Sequence, residues 1–399
     1  MEPKGQLLQA DFLNAQVLPF RNHYQLLLES SSSTQQEKKF LPFRVERSAF
    51  LHYRLSMNTT PGIRENELRK WIDSHVDGVE GNLEYQQIVG GHSNLTYTVS
   101  DDSGRKWVLR RPPLGHVLAT AHDMTREYRV IKALEGSGVP VPRVIGLCED
   151  VEVNDAPFYV MDFVDGIVVR DAEIAAAQPL EIRERMGKSL LATLASLHSV
   201  DVDAVGLGDL ARRDGYIERQ LKRWKAQFEL STNREISGVF EVHDNLLKNV
   251  PEQQGVGIVH GDYRLDNTIM TETGEVAAVL DWELCTLGDV LSDVAAIIAY
   301  SNNLTGMETQ AMSIEGFPTP SEVRSLYGDL SERDLSKLDF YISFAYWRLA
   351  CILEGVYTRY AAGVMGSETD NAAINIFGER VLLLVDLADS TFKDFLQRK

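Results

Sequence analysis

Ile258-Val259-His260-Gly261-Asp262-Tyr263-Arg264-Leu265-Asp266-Asn267, followed by Thr268 to Leu280 and then Asp281-Trp282-Glu283, is the stretch on which the fold reading turns. Thr273-Gly274 is a turn signal between two short apolar strands, Thr268 to Met270 and Val276 to Leu280. A hairpin pivoting near Gly274 sets position 267 opposite position 281, because each lies seven residues from the pivot. An amide oxygen and a carboxylate then meet at the open end of one hairpin. Such a hard-oxygen pair suits Mg²⁺, which takes one or two protein ligands and fills its remaining positions with water and phosphate oxygens. Asp262 lies five residues before Asn267 on the same loop. From there a carboxylate can accept a hydroxyl proton and orient that hydroxyl for in-line attack on a γ-phosphoryl group.

Singly, each residue has an ordinary explanation. A lone Asp in a loop is usually a turn or cap residue, and Asn267 alone is an unremarkable turn residue. His260 is read as a structural histidine that hydrogen-bonds the loop rather than as a base. Arg264 either neutralises the transferring phosphate or is a solvated side chain. The combination is more specific: H-G-D-x-x-x-x-N, then a hairpin, then an Asp after four apolar residues.

The flanking sequence supplies the frame. Residues 1–56 carry Ser30-Ser31-Ser32-Ser33 and no sustained periodicity, and are read as a poorly ordered extension. Thr60 and Pro61 predict a helix start, with Leu68, Trp71, Ile72 and Val76 recurring at helical spacing. Strands are expected from Tyr85 to Val89, Leu95 to Ser100, Arg105 to Arg111, Val144 to Cys148 and Phe158 to Val164, with a helix from about Asp123 to Leu134. Beyond Asp165-Gly166 the pattern is helical over 171–199, 213–230, 234–249, 288–302, 320–328, 334–361 and 370–397. The outline is α+β: a two-lobed, protein-kinase-like fold, with a small antiparallel sheet lobe over 57–164 for the nucleotide and a larger, mainly helical lobe over 165–399 for catalysis.

Composition narrows the partners. The chain has 399 residues, 44% of them hydrophobic and 25% charged, enough for a buried core in about two domains. A net charge of −18, from 40 basic and 58 acidic residues, argues against nucleic acid or an anionic membrane. It leaves a phosphate ligand open, since exposed charge is screened beyond ~8 Å and the local field decides. Cys148, Cys285 and Cys351 form no CxxC pair, which points to buried free thiols in a reducing cytoplasm and not to a zinc site. No apolar run approaches ~18 residues, so no membrane span is expected, and the N-terminus lacks a secretory layout.

The upstream half offers an independent set of candidates. Gly90-Gly91-His92-Ser93-Asn94 falls between two strands, where small residues let backbone N–H groups approach phosphates; Gly90, Gly91 and Ser93 are the candidate contacts, although Gly-Gly is also an ordinary turn. Trp107-Val108-Leu109-Arg110-Arg111 ends in two cations, one of which can reach nucleotide phosphates; a solvated strand end is the alternative. Glu127 falls inside the stripe of Met124, Tyr128, Ile131 and Leu134, and an inward acid needs a partner, for which Arg110 is the natural candidate.

These residues resemble the aminoglycoside phosphotransferase-like family, a branch of the kinase-like fold, over roughly Leu83 to Leu382. The resemblance is closest to the phosphotransferase domain found alone in bacteria or fused to some acyl-CoA dehydrogenases. It is carried by Val108-Leu109-Arg110-Arg111-Pro112-Pro113, by Arg219-Gln220-Leu221-Lys222-Arg223-Trp224, by Leu280-Asp281-Trp282-Glu283 through Thr286-Leu287-Gly288-Asp289 to Asp293, and by Tyr346-Trp347-Arg348-Leu349-Ala350 with Leu353-Glu354-Gly355. It implies Asp262 as catalytic base, Asn267 and Asp281 as Mg²⁺ ligands, and Met161 through Val164, including Asp162, as the hinge that meets adenine. Two departures stand out: the expected phosphate-contacting Lys is Arg110, and the glycine-rich loop carries His92 and Asn94.

The expected function is transfer of the γ-phosphoryl group of Mg-ATP, with GTP not excluded, to a hydroxyl of a small-molecule acceptor. A metabolite, a lipid-derived hydroxyacyl compound and an aminoglycoside-like acceptor all remain open. A protein kinase is disfavoured, because Asp281 is followed by Gly288-Asp289 and a helix without a long activation segment. The alternative is a nucleotide-binding scaffold that kept the fold. Asp289 and Asp293 are read as caps that support the metal loop, and Trp224, Trp347, Arg348 and Arg359 as candidate pocket walls, the tryptophans more as core.

Overall fold

The computed structural model describes residues 60–88, 94–115, 122–302, 311–363 and 371–398, so the expected extension over 1–56 and the candidates Gly90, Gly91 and Ser93 lie outside the described residues. By packing, the described residues up to Thr125 and Val144–Phe163 form one unit; Arg126–Arg143 and the residues from Val164 onward form another.

In the first unit, α1 (Glu65–His75), β1 (Leu83–Gln87), β2 (Leu95–Asp101) and β3 (Lys106–Arg111) precede α2 (Met124–Leu134), which starts at the unit boundary; β4 (Val144–Cys148), α3 (Val151–Asn154) and β5 (Phe158–Asp162) follow. The five strands make one antiparallel sheet in the order β1-β2-β3-β5-β4. Alternation along β2 and β3 sends Tyr97, Val99, Trp107 and Leu109 into one cluster with Leu68 and Ile72 of α1. The expected start at Thr60 is displaced. Thr60–Ile63 closes a turn, with the Ile63 N–H donating to the Thr60 carbonyl at 3.0 Å and Gly62 at φ +80°, and the helix begins only at Glu65. Proline second and glycine third is a turn pattern that outcompetes the cap reading here, and Tyr97 Oη fixes it by donating to the Pro61 carbonyl at 2.6 Å.

The second unit is mainly helical: α4 (Ala172–Ala176), α5 (Leu180–Ser199), α6 (Tyr216–Ser231) and α7 (Ser237–Lys248), then β6 (Gly257–Val259), β7 (Thr268–Met270), β8 (Val276–Val279) and β9 (Thr286–Gly288), then α8 (Leu291–Ser301), α9 (Pro320–Leu330), α10 (Leu338–Ala361) and α11 (Asn371–Gln397). The single helix expected over 171–199 is two. Asp171 caps α4 through the Ile174 N–H, and Pro179, which has no N–H to donate, stands at the start of α5. The β6–β9 pair is too short for periodicity to reveal it. Trp224 and Trp347 are 1% and 0% exposed and belong to the core. Cys148, Cys285 and Cys351 are all buried free thiols. Among the described residues no helix is long and apolar enough to cross a membrane.

The β2–β3 turn shows how a side chain writes backbone. The Asp101 carboxylate accepts from Ser103 N–H, Ser103 Oγ, Arg105 N–H and Glu80 N–H at 2.6–3.2 Å. Led by the Ser103 hydroxyl, these donors hold its pKa well below the usual range. The wild-type advantage over Asp101→Asn is therefore full above the unfolded carboxylate pKa of about 4. It should shrink as pH falls through the depressed folded value. Urea midpoints of the two proteins measured at neutral pH and near pH 3 check this; a gap that does not narrow in acid contradicts it.

Candidate active site

The loop between β6 and β7 and the end of the following hairpin carry the candidate chemistry, all within the second unit. The loop is pinned from below by Asp293, in the first turn of α8. Its Oδ2 accepts from the His260 N–H at 2.7 Å and its Oδ1 from the Gly261 N–H at 3.0 Å. Burial alone would raise the pKa of Asp293, but the His198 and His260 side chains and the loop N–H lower it overall. His198 in turn is held neutral by burial; its Nε2 lies 3.5 Å from Asp293 Oδ2 and its Nδ1 2.8 Å from Tyr327 Oη.

His260 does structural work. Its Nε2 donates to the Leu280 carbonyl at 2.9 Å, which leaves Nδ1 to accept from the Asp262 N–H at 3.3 Å. One imidazole thus ties the Asp262 backbone to the residue before Asp281. Gly261, at φ +86°, makes the bend; a Cβ there would lie 3.0 Å from the Leu284 carbonyl oxygen.

Asp262 and Asn267 are joined directly. Asn267 Nδ2 donates to the Asp262 carbonyl at 2.8 Å and to Asp262 Oδ2 at 3.0 Å. With both amide hydrogens so committed, Oδ1 of Asn267 points the other way and is the acceptor left for a cation. Arg264 Nε lies 3.1 Å from Asp262 Oδ1 and Nη2 3.1 Å from Asp266 Oδ2, while the guanidinium sits over the Tyr300 ring at 5.2 Å. The Nε contact is Coulombic rather than an aligned hydrogen bond, since Nε meets no acceptor at bonding geometry. At 13% side-chain exposure, Arg264 is not a solvated residue. Burial would lower its pKa, yet Asp262 and Asp266 raise it overall. Asp266 is pushed upward by burial, against the pull of Arg264.

The hairpin register differs from the expected one. Thr268 pairs with Val279 and Ile269 with Ala278, and the Leu280 N–H donates to the Asn267 carbonyl at 2.9 Å. Asn267 therefore faces Leu280, and Asp281 lies one residue beyond. The turn closes through Thr271 and Glu275, one position earlier than a Gly274 pivot requires, and a bulge after Ile269 takes up part of the difference. Asp281 compensates with a left-handed backbone, φ +63° and ψ +64°, the region that short polar side chains tolerate best. Its charge is felt by both Arg264 and Asp266. Among the described residues no three His, Cys, Asp or Glu side chains converge on a metal position, so an ion here would draw on Asn267 and Asp281 plus outside oxygens.

The remaining candidates are divided between the two units. Arg110, on β3 opposite Tyr159, and Asp162, at the end of β5 opposite Trp107, belong to the first unit. Glu127, 2% exposed on α2, and Val164, just past β5, belong to the second. Tyr300, His198 and Tyr327 were not singled out by sequence. Their partners lie far along the chain, and no local pattern marks them.

The sequence profile of the phosphotransferase enzyme family matches residues 84–326. The chain is 37% identical over 297 residues to mouse acyl-CoA dehydrogenase family member 10, covering 72% of this chain and 28% of that protein. It is 32% identical over 341 residues to human acyl-CoA dehydrogenase family member 11, covering 82% and 44%. The chain thus spans less than half the length of these curated relatives. A crystal structure from Ralstonia eutropha, described as an aminoglycoside phosphotransferase, superposes with a TM-score of 0.71 at 32% identity, covering 82% of this chain and 98% of that one.

Asp293→Ala strands two buried loop N–H groups and should cost roughly 2–5 kcal/mol. Chemical denaturation reads this directly; a loss within about 0.5 kcal/mol, the range of ordinary surface changes, would remove Asp293 as the anchor.

Proposed function

Because the chain belongs to the phosphotransferase enzyme family, we propose that it moves the γ-phosphoryl group of Mg-ATP to a hydroxyl of a small molecule. The observation that carries the reading is the joint restraint of Asp262 and Asn267, with one amide bonded to both the backbone and the carboxylate of the candidate base. Phosphoryl transfer asks mainly for positioning and charge neutralisation, and a base fixed at both ends meets the first need.

Asp262 accepts the acceptor hydroxyl's proton as that oxygen bonds to the γ-phosphorus; the bond from phosphorus to the bridging oxygen breaks and ADP leaves. Arg264, engaged by Asp262 and Asp266, acts as a positioning residue beside the base rather than as a phosphate clamp. Asn267 Oδ1 and the Asp281 carboxylate are the hard-oxygen donors for Mg²⁺, which when bound neutralises charge on the phosphate oxygens. Arg110, Glu127, Asp162 and Val164 keep in this reading the nucleotide roles that the sequence suggests for them.

Turnover of ATP and of GTP with a panel of hydroxyl acceptors tests the proposal. Asp262→Asn should lower kcat about 10²–10⁴-fold while nucleotide affinity holds. Asp281→Ala and Asn267→Ala should instead raise the Mg²⁺ concentration needed for nucleotide binding. Wild-type turnover in all three variants would reject the site.

A further inference from the structure

Asp281 holds its left-handed backbone within a short stretch, residues 279–285, whose two ends are tied to one piece of chain. At the upstream end the Val279 N–H donates to the Pro140 carbonyl at 2.9 Å. At the downstream end Arg126, in the first turn of α2, donates through Nη2 to the Cys285 carbonyl at 2.9 Å, across 159 positions of sequence. Pro140 lies a few residues past the end of α2, and both it and Arg126 pack with the helical unit. The start of α2 and the chain after it thus hold the Asp281 stretch from both sides.

The stretch does not fix its own shape. The Cys285 N–H donates to the Trp282 carbonyl at 3.0 Å, but Asp281, which precedes that turn, makes no side-chain cap hydrogen bond to it. A left-handed non-glycine residue costs free energy and persists only where its surroundings over-determine it. His260 and Asn267 fix Leu280 on the upstream side. Arg126 reaches the downstream side from another element, and its Nη1 donates at the same time to the Leu210 carbonyl at 2.8 Å. Leu210 and Cys285 are both buried, so their carbonyls need protein donors, and one rigid guanidinium fork serves the two. Arg129, one turn along α2, is a natural contrast. Its Nη2 donates to the Gly206 carbonyl at 2.7 Å and it pairs with Asp209, so it docks the same helix on the same loop without reaching residues 279–285.

We propose that Arg126 is a positioning residue for the candidate metal site: its fork holds residues 279–285 in the one conformation that presents the Asp281 carboxylate just beyond the Leu280–Asn267 pair. The inference rests on the reading of Asp281 as a Mg²⁺ donor. It adds to that donor a support from α2, a helix that supplies no metal ligand itself. Groups that orient a ligand without touching the ion set how tightly the ion is held.

The test compares the full wild-type chain with Arg126→Met, Arg126→Lys and Arg129→Ala by two measurements. The first is amide hydrogen exchange without ligand, followed by mass spectrometry over residues 279–285. The second is binding of a non-hydrolysable ATP analogue at fixed concentration while Mg²⁺ is titrated. Arg126→Met should speed exchange of the Leu280 and Cys285 amides about tenfold, because a charge-assisted hydrogen bond is lost from the closed state alone. It should also raise the half-saturating Mg²⁺ concentration about 10–100-fold, with analogue affinity at saturating Mg²⁺ close to wild type. Arg126→Lys, a point charge without the fork, should fall between. Arg129→Ala should lower the urea midpoint and leave both readouts at wild type, which separates positioning of Asp281 from simple docking of α2. An Arg126→Met protein indistinguishable from Arg129→Ala overturns the inference, and so does faster exchange with an unchanged Mg²⁺ requirement. If Arg126→Met fails to fold, Arg126→Lys decides by the same two readouts. A wild-type chain that binds the analogue without any need for Mg²⁺ would sink the metal reading, and the exchange comparison would still decide whether Arg126 holds the stretch.

Discussion

A single buried carboxylate organises the second unit. Asp293 faces the N–H groups of two consecutive loop residues, His260 and Gly261, and those residues set where Asp262 begins. Both N–H groups lie where water cannot serve them, so the loop either keeps this carboxylate or loses its shape. From that anchor the order propagates outward. His260 passes it to Leu280, Asn267 passes it to Asp262, and Arg348 holds the far side of Gly261. The candidate side chains are thus positioned by backbone hydrogen bonds more than by one another, which suits chemistry that depends on placement.

Electrostatics in this loop are arranged in compensating pairs. Arg264 stands between Asp262 and Asp266, so this partly buried group of three charges carries one net negative charge rather than two. The guanidinium is locked by that arrangement and by the Tyr300 ring, and Asp262 keeps a carboxylate edge that is attracted without being tightly hydrogen-bonded. Asp281 adds a local cost of about 1–2 kcal/mol for its left-handed backbone. Asp155 is the other described non-glycine residue with positive φ, and it closes the short α3 helix. Asp281 stands before the 3₁₀ turn Trp282–Leu284 and makes no side-chain cap hydrogen bond to it, so its conformation is the more telling of the two.

Much of this was legible in the sequence because the decisive signals are local. The sheet strands announce themselves by alternation and turn residues, and His260, Asp262, Asn267 and Asp281 fall within about twenty positions of one another. What failed depended on competition or on distance. Thr60-Pro61 has the chemistry of a helix start and of a turn alike, and Gly62 together with Tyr97 decided for the turn. The hairpin register slipped by one because the turn closes at Thr271 and Glu275 rather than around Gly274, and the bulge that takes up part of that shift leaves no trace in composition. His198 and Tyr327 could not be paired from sequence, being separated by 129 positions and reading simply as core residues of two helices. The acidic overall charge likewise gave no hint of the guanidinium beside Asp262, since net charge does not locate a field.

The three sealed thiols carry a practical consequence. Burial raises the pKa of Cys148, pushes that of Cys285 up to about 12 and lifts that of Cys351 well above its ordinary value, so almost no thiolate forms in the closed protein. An alkylating reagent therefore reacts only when the surrounding structure opens. Cys148 belongs to the sheet unit and Cys285 and Cys351 to the helical one. The native chain thus holds a separate clock for the opening of each half, and ligand-induced tightening of either can be timed without adding a label.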